Sequence, residues 1–160
     1  MKTICGRHNS AGFTLVEIMI VVAILGLLVS ISIPIFLRAR QSAEATRIAK
    51  ELKLFGDAFE MYYARTGTFP LDSHGVLPAD MNDYINSDVW ARSVWGGNYN
   101  WEGPSWGEGG PYNYAGISIN GTTATPSQLN SLDAVLDNGD LMTGLFRQTP
   151  NGRYTYIIAE

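Results

Sequence analysis

Gly12-Phe13-Thr14-Leu15-Val16-Glu17-Ile18 opens an apolar run that continues to Leu37, with Glu17 as its only ionisable side chain. About 20 apolar residues suffice for a helix to cross a bilayer, so the run is long enough for one span. A carboxylate inside such a span costs roughly 2.5–3.5 kcal/mol on insertion scales unless something pairs with it. The position of Glu17 suggests the partner. A cut after Gly12 would place a new positive amine on Phe13, about one helical turn away. In a stack of such helices the amine of one subunit meets the carboxylate of its neighbour. Glu17 then sets the register, because a misaligned neighbour leaves it buried and unpaired.

Simpler readings of the same run fit less well. A cleaved secretory signal has a shorter apolar region followed by small residues at the cut, whereas Pro34-Ile35-Phe36-Leu37 leads straight into Arg38 and Arg40. A lipoprotein signal would place its apolar segment before the cysteine, and Cys5 precedes the run. A plain membrane anchor has no use for Glu17. Gly26 and Pro34 lie inside the span, and proline in a helix interior removes a backbone hydrogen bond, so these two positions mark a local weak point.

The segment Gly12 to Ile18, with the short basic leader Met1–Gly12 (Lys2, Arg7) and the apolar run behind it, resembles the cleavage and methylation motif of type IV prepilins and type II secretion pseudopilins. The resemblance implies that a prepilin peptidase cuts after Gly12 and methylates Phe13, and that Glu17 serves subunit assembly. It also implies that the helix between Gly26 and Pro34 unwinds in assembled filaments. Arginines follow the span as well as preceding it, so charge does not orient the chain. The resemblance orients it instead: leader in the cytoplasm, span in the inner (cytoplasmic) membrane, and the rest periplasmic. Its implied partners are prepilin peptidase, further pilin or pseudopilin subunits and an inner-membrane assembly platform.

Beyond the span the pattern becomes amphipathic. Ala45, Ile48, Leu52, Phe55, Phe59 and Tyr62 recur at alternating spacings of three and four, drawing one apolar stripe along a helix. Arg47, Lys50, Glu51, Lys53, Asp57 and Glu60 fall largely off it. This face is expected to carry a sheet rather than a cofactor, and the helix to run to about Ala64, before Gly67 and Pro70.

The remainder is rich in turn residues and aromatics. A short helix is expected around Ala79–Ile85, and turns with short extended pieces between Trp90 and Trp106. A strand is expected over Tyr112–Ile119, turning at Asn120-Gly121. Thr125-Pro126-Ser127-Gln128 fits a helix start, with threonine as cap, proline at the first position and glutamine three residues after the cap. Leu145–Gln148 and Tyr154–Ile158 read as a closing hairpin. The four tryptophans are expected in core and loop packing, with subunit contact or adhesion as the other use.

The expected fold is therefore α+β and pilin-like: a long N-terminal helix, transmembrane in its first half, with a small antiparallel sheet packed on its second. The divisions are 1–12 leader, 13–37 transmembrane or filament-core helix, 38–66 amphipathic helix and 67–160 globular head.

Composition narrows the functions. The formal net charge is −4, from 15 acidic and 11 basic residues, so the basic surplus of a nucleic-acid binder is missing. The two histidines sit in no metal-ligand cluster, and no phosphate loop or nucleophile turn is found. No catalytic residue and no cofactor are expected. The resemblance raises calcium, because major pseudopilins bind it in a C-terminal loop, and Asp133, Asp137 and Asp140 are the residues for it here. Their spacing matches no EF-hand, however, and Asp-Asn-Gly-Asp is ordinary turn composition.

The leading reading is a structural subunit of a type II secretion-like pseudopilus. Met61-Tyr62-Tyr63-Ala64-Arg65-Thr66-Gly67-Thr68-Phe69-Pro70 resembles the helix exit of major pseudopilins. Type IV major pilins commonly carry a C-terminal disulfide loop, and no cysteine follows Cys5. The alternative is a type IV pilin, major or minor, with an adhesive head. A membrane-anchored enzyme comes third.

Overall fold

The computed structural model of the chain describes residues 12–107 and 109–160. The leader up to Ala11, with Lys2, Cys5, Arg7 and His8, lies outside them. The chain divides into two compact units, split between Arg40 and Gln41. Helix α1 is Leu15–Thr66, close to the expected bounds at both ends.

In the first unit α1 is continuous through Gly26 and Pro34. Its large apolar side chains are all at least half exposed, from Ile18 and Leu37 at 50% to Leu15 at 76%. An 18-residue window reaches a mean hydropathy of 2.8, so the helix is long and apolar enough to cross a membrane. Ser30 and Ser32 donate their hydroxyls to the carbonyls of Leu27 and Leu28, at 2.7 and 2.8 Å, so both polar groups are satisfied along the helix itself.

The second unit is the head. Four strands, β1 (Asn98–Glu102), β2 (Ala115–Asn120), β3 (Phe146–Gln148) and β4 (Tyr154–Ala159), form an antiparallel sheet in the order β1-β2-β4-β3. The expected stripe of α1 packs on it: Ala45, Ile48, Leu52, Phe55 and Phe59 are buried with Tyr99, Trp101, Ile117, Ile119 and Phe146. Phe59 stacks on Trp101 with centroids 3.8 Å apart, and Phe55 meets Tyr99 edge-on at 5.1 Å. Gly56 lets the sheet approach closely, because a Cβ there would lie 3.1 Å from the Tyr156 ring.

Helix α3 (Pro126–Leu136) begins as its sequence requires, with Thr125 as N-cap, Pro126 at the first position and the Thr125–Gln128 capping box closed. Elsewhere the structure differs from expectation. The helix around Ala79–Ile85 is only a 3₁₀ turn at Ala79–Met81, followed by one helical turn, α2 (Ser87–Trp90), capped by Asn86. The extended pieces before Trp106 resolve into β1. Strand β2 begins three residues late, since Tyr112 bridges to Pro104 instead. Trp90 and Trp101 are core residues, whereas Trp106 is 46% exposed.

Candidate functional site

The motif at the start of α1 has a defined geometry. Gly12 and Phe13 lie before the helix in exposed chain, and a Cβ on Gly12 would touch nothing within 4 Å. Thr14 caps the helix. Its hydroxyl accepts the Glu17 amide at 3.2 Å, while Glu17 Oε2 accepts the Thr14 amide at 2.7 Å and its hydroxyl at 2.8 Å. This is a capping box, with the carboxylate placed where the helix dipole favours negative charge. The box was not among the expectations above, although Thr14-x-x-Glu17 is its usual signal. Before any neighbour arrives, Glu17 thus has a partner within its own chain.

The prokaryotic N-terminal methylation motif matches residues 7–33. The chain is 27% identical to the type II secretion system core protein G of Pseudomonas aeruginosa, covering 72% of this chain and 87% of that protein. It is 27% identical to the protein of the same name from Klebsiella michiganensis, over 58% of this chain and 73% of that one. The fimbrial protein EcpC of Eikenella corrodens is 36% identical over 52% of this chain and 56% of its own length. The chain thus carries the N-terminal methylation motif and is similar to type II secretion pseudopilins and a fimbrial protein. No solved structure matches it. The matched motif lies at the start of the helix that is long and apolar enough to cross a membrane.

The head holds three carboxylates away from water, and the burial of the first two has no local sequence signal. Glu51, expected off the apolar stripe, is 8% exposed. Its oxygens accept from Arg47 at 2.9 and 2.8 Å, from Arg92 at 3.1 Å and from the Tyr99 hydroxyl at 2.7 Å. Burial, with Glu51 adding to it, pushes the Tyr99 phenol well above its ordinary range. Glu102, fully buried on β1, accepts from Tyr114 at 2.6 Å, Asn151 at 2.8 Å, Arg153 at 3.1 Å and Thr155 at 3.3 Å. It ties β1 to the β3–β4 turn. Both acids are saturated with donors, as fixed structural charges should be.

Asp133 is different. It is fully buried on α3, and neither carboxylate oxygen has a hydrogen-bond partner. Burial raises its pKa, Asp137 and Asp140 add to the rise, and the nearby amides of Gly139 and Asp140 counteract it without reaching hydrogen-bond geometry. An orphaned buried carboxylate is what a calcium site would explain, but the other two aspartates do not converge on it. Asp137 Oδ2 accepts the Leu145 amide at 2.5 Å. Asp140 accepts the Met142 amide at 3.1 Å and the Thr143 hydroxyl at 3.0 Å. Among the described residues no group of three His, Cys, Asp or Glu side chains is placed to hold a metal. The loop closes on its own amides, and as arranged it does not fit calcium.

Proposed function

We propose that the chain is cut between Gly12 and Phe13, methylated on Phe13, and polymerised through the apolar half of α1 into the pseudopilus of a type II secretion-like system. The observation that carries the reading is the motif itself: an exposed Gly12–Phe13 bond, followed by a capped helix whose first ionisable group is Glu17 and whose next residues are apolar on every side. Prepilin peptidase would reach the bond without unfolding the helix. The head would face the periplasm, and the processed chains would be drawn from the inner membrane by an assembly platform. Glu17 would exchange part of its own cap for the Phe13 amine of a neighbour, making register a condition of assembly. Gly26 and Pro34 are where we place the helix's point of weakness, since Pro34 has no amide to offer the preceding turn. The reading needs no cofactor and no catalytic residue.

A type IV pilin is the second reading, favoured by the 36% identity to a fimbrial protein. Intact mass of the native chain, measured separately in the sheared extracellular fraction and the cell envelope, tests both. Methylated Phe13–Glu160 confined to the envelope supports the pseudopilus, and the same species abundant outside supports the surface pilus. A full-length chain in a host with active prepilin peptidase removes the processing claim. Gly12→Ala is expected to block processing, leaving the uncut mass in the membrane fraction. Glu17→Val is expected to insert normally but to enter filaments poorly, and normal incorporation would remove the pairing argument.

A further inference from the structure

Several large apolar side chains of the head stand exposed, and two of them lie on one face of α1 beside a groove. Leu54 and Met61 of α1, two helical turns apart, are each 62% exposed. With Ile85 and Val89 from the segment around α2 they line an apolar groove of about 330 Å³. Its rim is acidic: Asp57 and Asp83 line it, and Asp88 lies in the adjoining hollow with Asp83. None of these three carboxylates has an ion-pair partner among the described residues. An exposed apolar floor with an unpaired acidic rim calls for an occupant that is apolar and basic at once.

The chain carries such a segment. Phe36 and Leu37 are 68% and 50% exposed, and Arg38 and Arg40 follow them directly. Arg47, Arg92, Arg147 and Arg153 are committed to carboxylates. Arg65 donates to the Tyr84 hydroxyl and Lys53 to the Val135 carbonyl. Among the described residues Arg38 and Arg40 are thus the free arginines, and they adjoin bulky exposed apolar side chains. Lys50 is also uncommitted, but its neighbours in sequence, Ala49 and Glu51, are buried.

We propose that the groove between α1 and the Ile85–Val89 segment is an assembly contact, receiving Phe36 and Leu37 of a second copy of the chain while that copy's Arg38 and Arg40 pair with Asp57 and Asp83. The contact rests on the filament reading above and adds to it a site outside the Glu17 motif. It makes the end of the apolar run specific: the aromatic and aliphatic pair supplies contact area, and the arginines select the acidic groove over other apolar surfaces.

Cysteine pairing tests it in the assembled filament, because the residues after Gly12 contain no cysteine. Chains carrying Arg38→Cys are co-produced with chains carrying Asp83→Cys and a tag that shifts their mass; filaments in the cell envelope and in the sheared fraction are then oxidised and run without reductant. The mixed-mass dimer is expected, and it should be absent when Ser131→Cys, on exposed α3 surface, replaces Asp83→Cys. Filaments without the mixed dimer, or with as much of it in the control, overturn the contact and leave the filament reading standing. Where the cysteine variants fail to assemble, charge reversal decides. Arg38→Glu with Arg40→Glu should lower filament yield about tenfold, and adding Asp57→Lys with Asp83→Lys to the same chain should restore it. Unchanged yield in the first variant, or no recovery in the second, overturns the contact. If the unaltered chain forms no filament, the underlying reading fails, and the contact with it.

Discussion

Replacing Asp133 by asparagine should stabilise the head, and the gain should depend on pH. The carboxyl is fully buried, its oxygens have no partner, and Asp137 and Asp140 repel its charged form. Leaving a buried polar group unsatisfied costs about 1–3 kcal/mol, and more when it is charged. Asparagine keeps the shape and removes the charge. The amide is itself a buried polar group, so the gain is the surplus cost of the charge. That is on the order of 1 kcal/mol near neutral pH, or about 4 °C in Tm for a unit of this size. The sign follows from the raised pKa. A carboxyl that titrates higher in the fold than in the unfolded chain favours the fold while protonated, below its unfolded pKa of about 3.9. That contribution is lost as pH rises through the folded value. The wild-type head should therefore weaken between acid and neutral pH in a way the variant does not.

The assay is thermal unfolding of the detergent-solubilised chain by near-ultraviolet circular dichroism. All four tryptophans lie in the head, so the signal reports that unit. A variant equal to or weaker than wild type at pH 7.5, with parallel pH profiles, would refute the reasoning. Calcium supplies a second check. If it raises the wild-type Tm and not that of Asp133→Asn, a cation compensates the carboxylate and the reading of the loop as self-closed is wrong.

Two further substitutions probe the satisfied acids and a close backbone approach. Arg153→Met strips Glu102 of its cation and should cost about 3 kcal/mol, the lower end for a broken buried pair because three other donors remain. Adding Glu102→Gln should recover much of that loss in the same thermal assay, and no recovery would mean the arginine acts through packing. Gly97→Ala would put a Cβ 2.4 Å from the Asn120 carbonyl oxygen and 2.7 Å from the Thr122 nitrogen, both backbone atoms. It should destabilise the head by about 1–3 kcal/mol, seen as faster hydrogen exchange at the Val94 and Gly97 amides, which bond each other's carbonyls.

How legible each part was depended on how far its determinants lie along the chain. Helix α1 was readable because its apolar run, its stripe and its ending are all periodic or local. The start of α3 was readable for the same reason, since Thr125 and Gln128 lie within one turn. The box formed by Thr14 and Glu17 was equally local, and was overlooked because Glu17 already had an explanation in the neighbouring subunit. Strand β1 was not readable: Asn100 and Glu102 are polar yet buried, so its burial does not alternate. What buries Glu51 and Glu102 are donors from 41 to 53 residues away, Arg47 and Tyr114 excepted, and no window on the sequence brings these together. Strand β2 lost its first residues because Tyr112 and Tyr114 stack at 5.3 Å and Tyr114 turns its hydroxyl to Glu102.

The acids divide the molecule by what each half needs from outside. In the head, Glu51 and Glu102 find all their donors within the chain, and among its buried acids only Asp133 does not. In the first half of α1 the only acid, Glu17, has a cap of two donors from a single threonine, and every large apolar side chain around it stands exposed. Full burial of each such side chain contributes about 1.5–3 kcal/mol, which the chain alone cannot collect and a bilayer or a bundle of copies can. A bilayer offers that burial in any register, whereas a bundle that must also answer Glu17 offers it in few. The same carboxylate that is tolerable at the membrane end of one helix therefore favours the ordered bundle over a random one, and that preference is what a filament subunit requires.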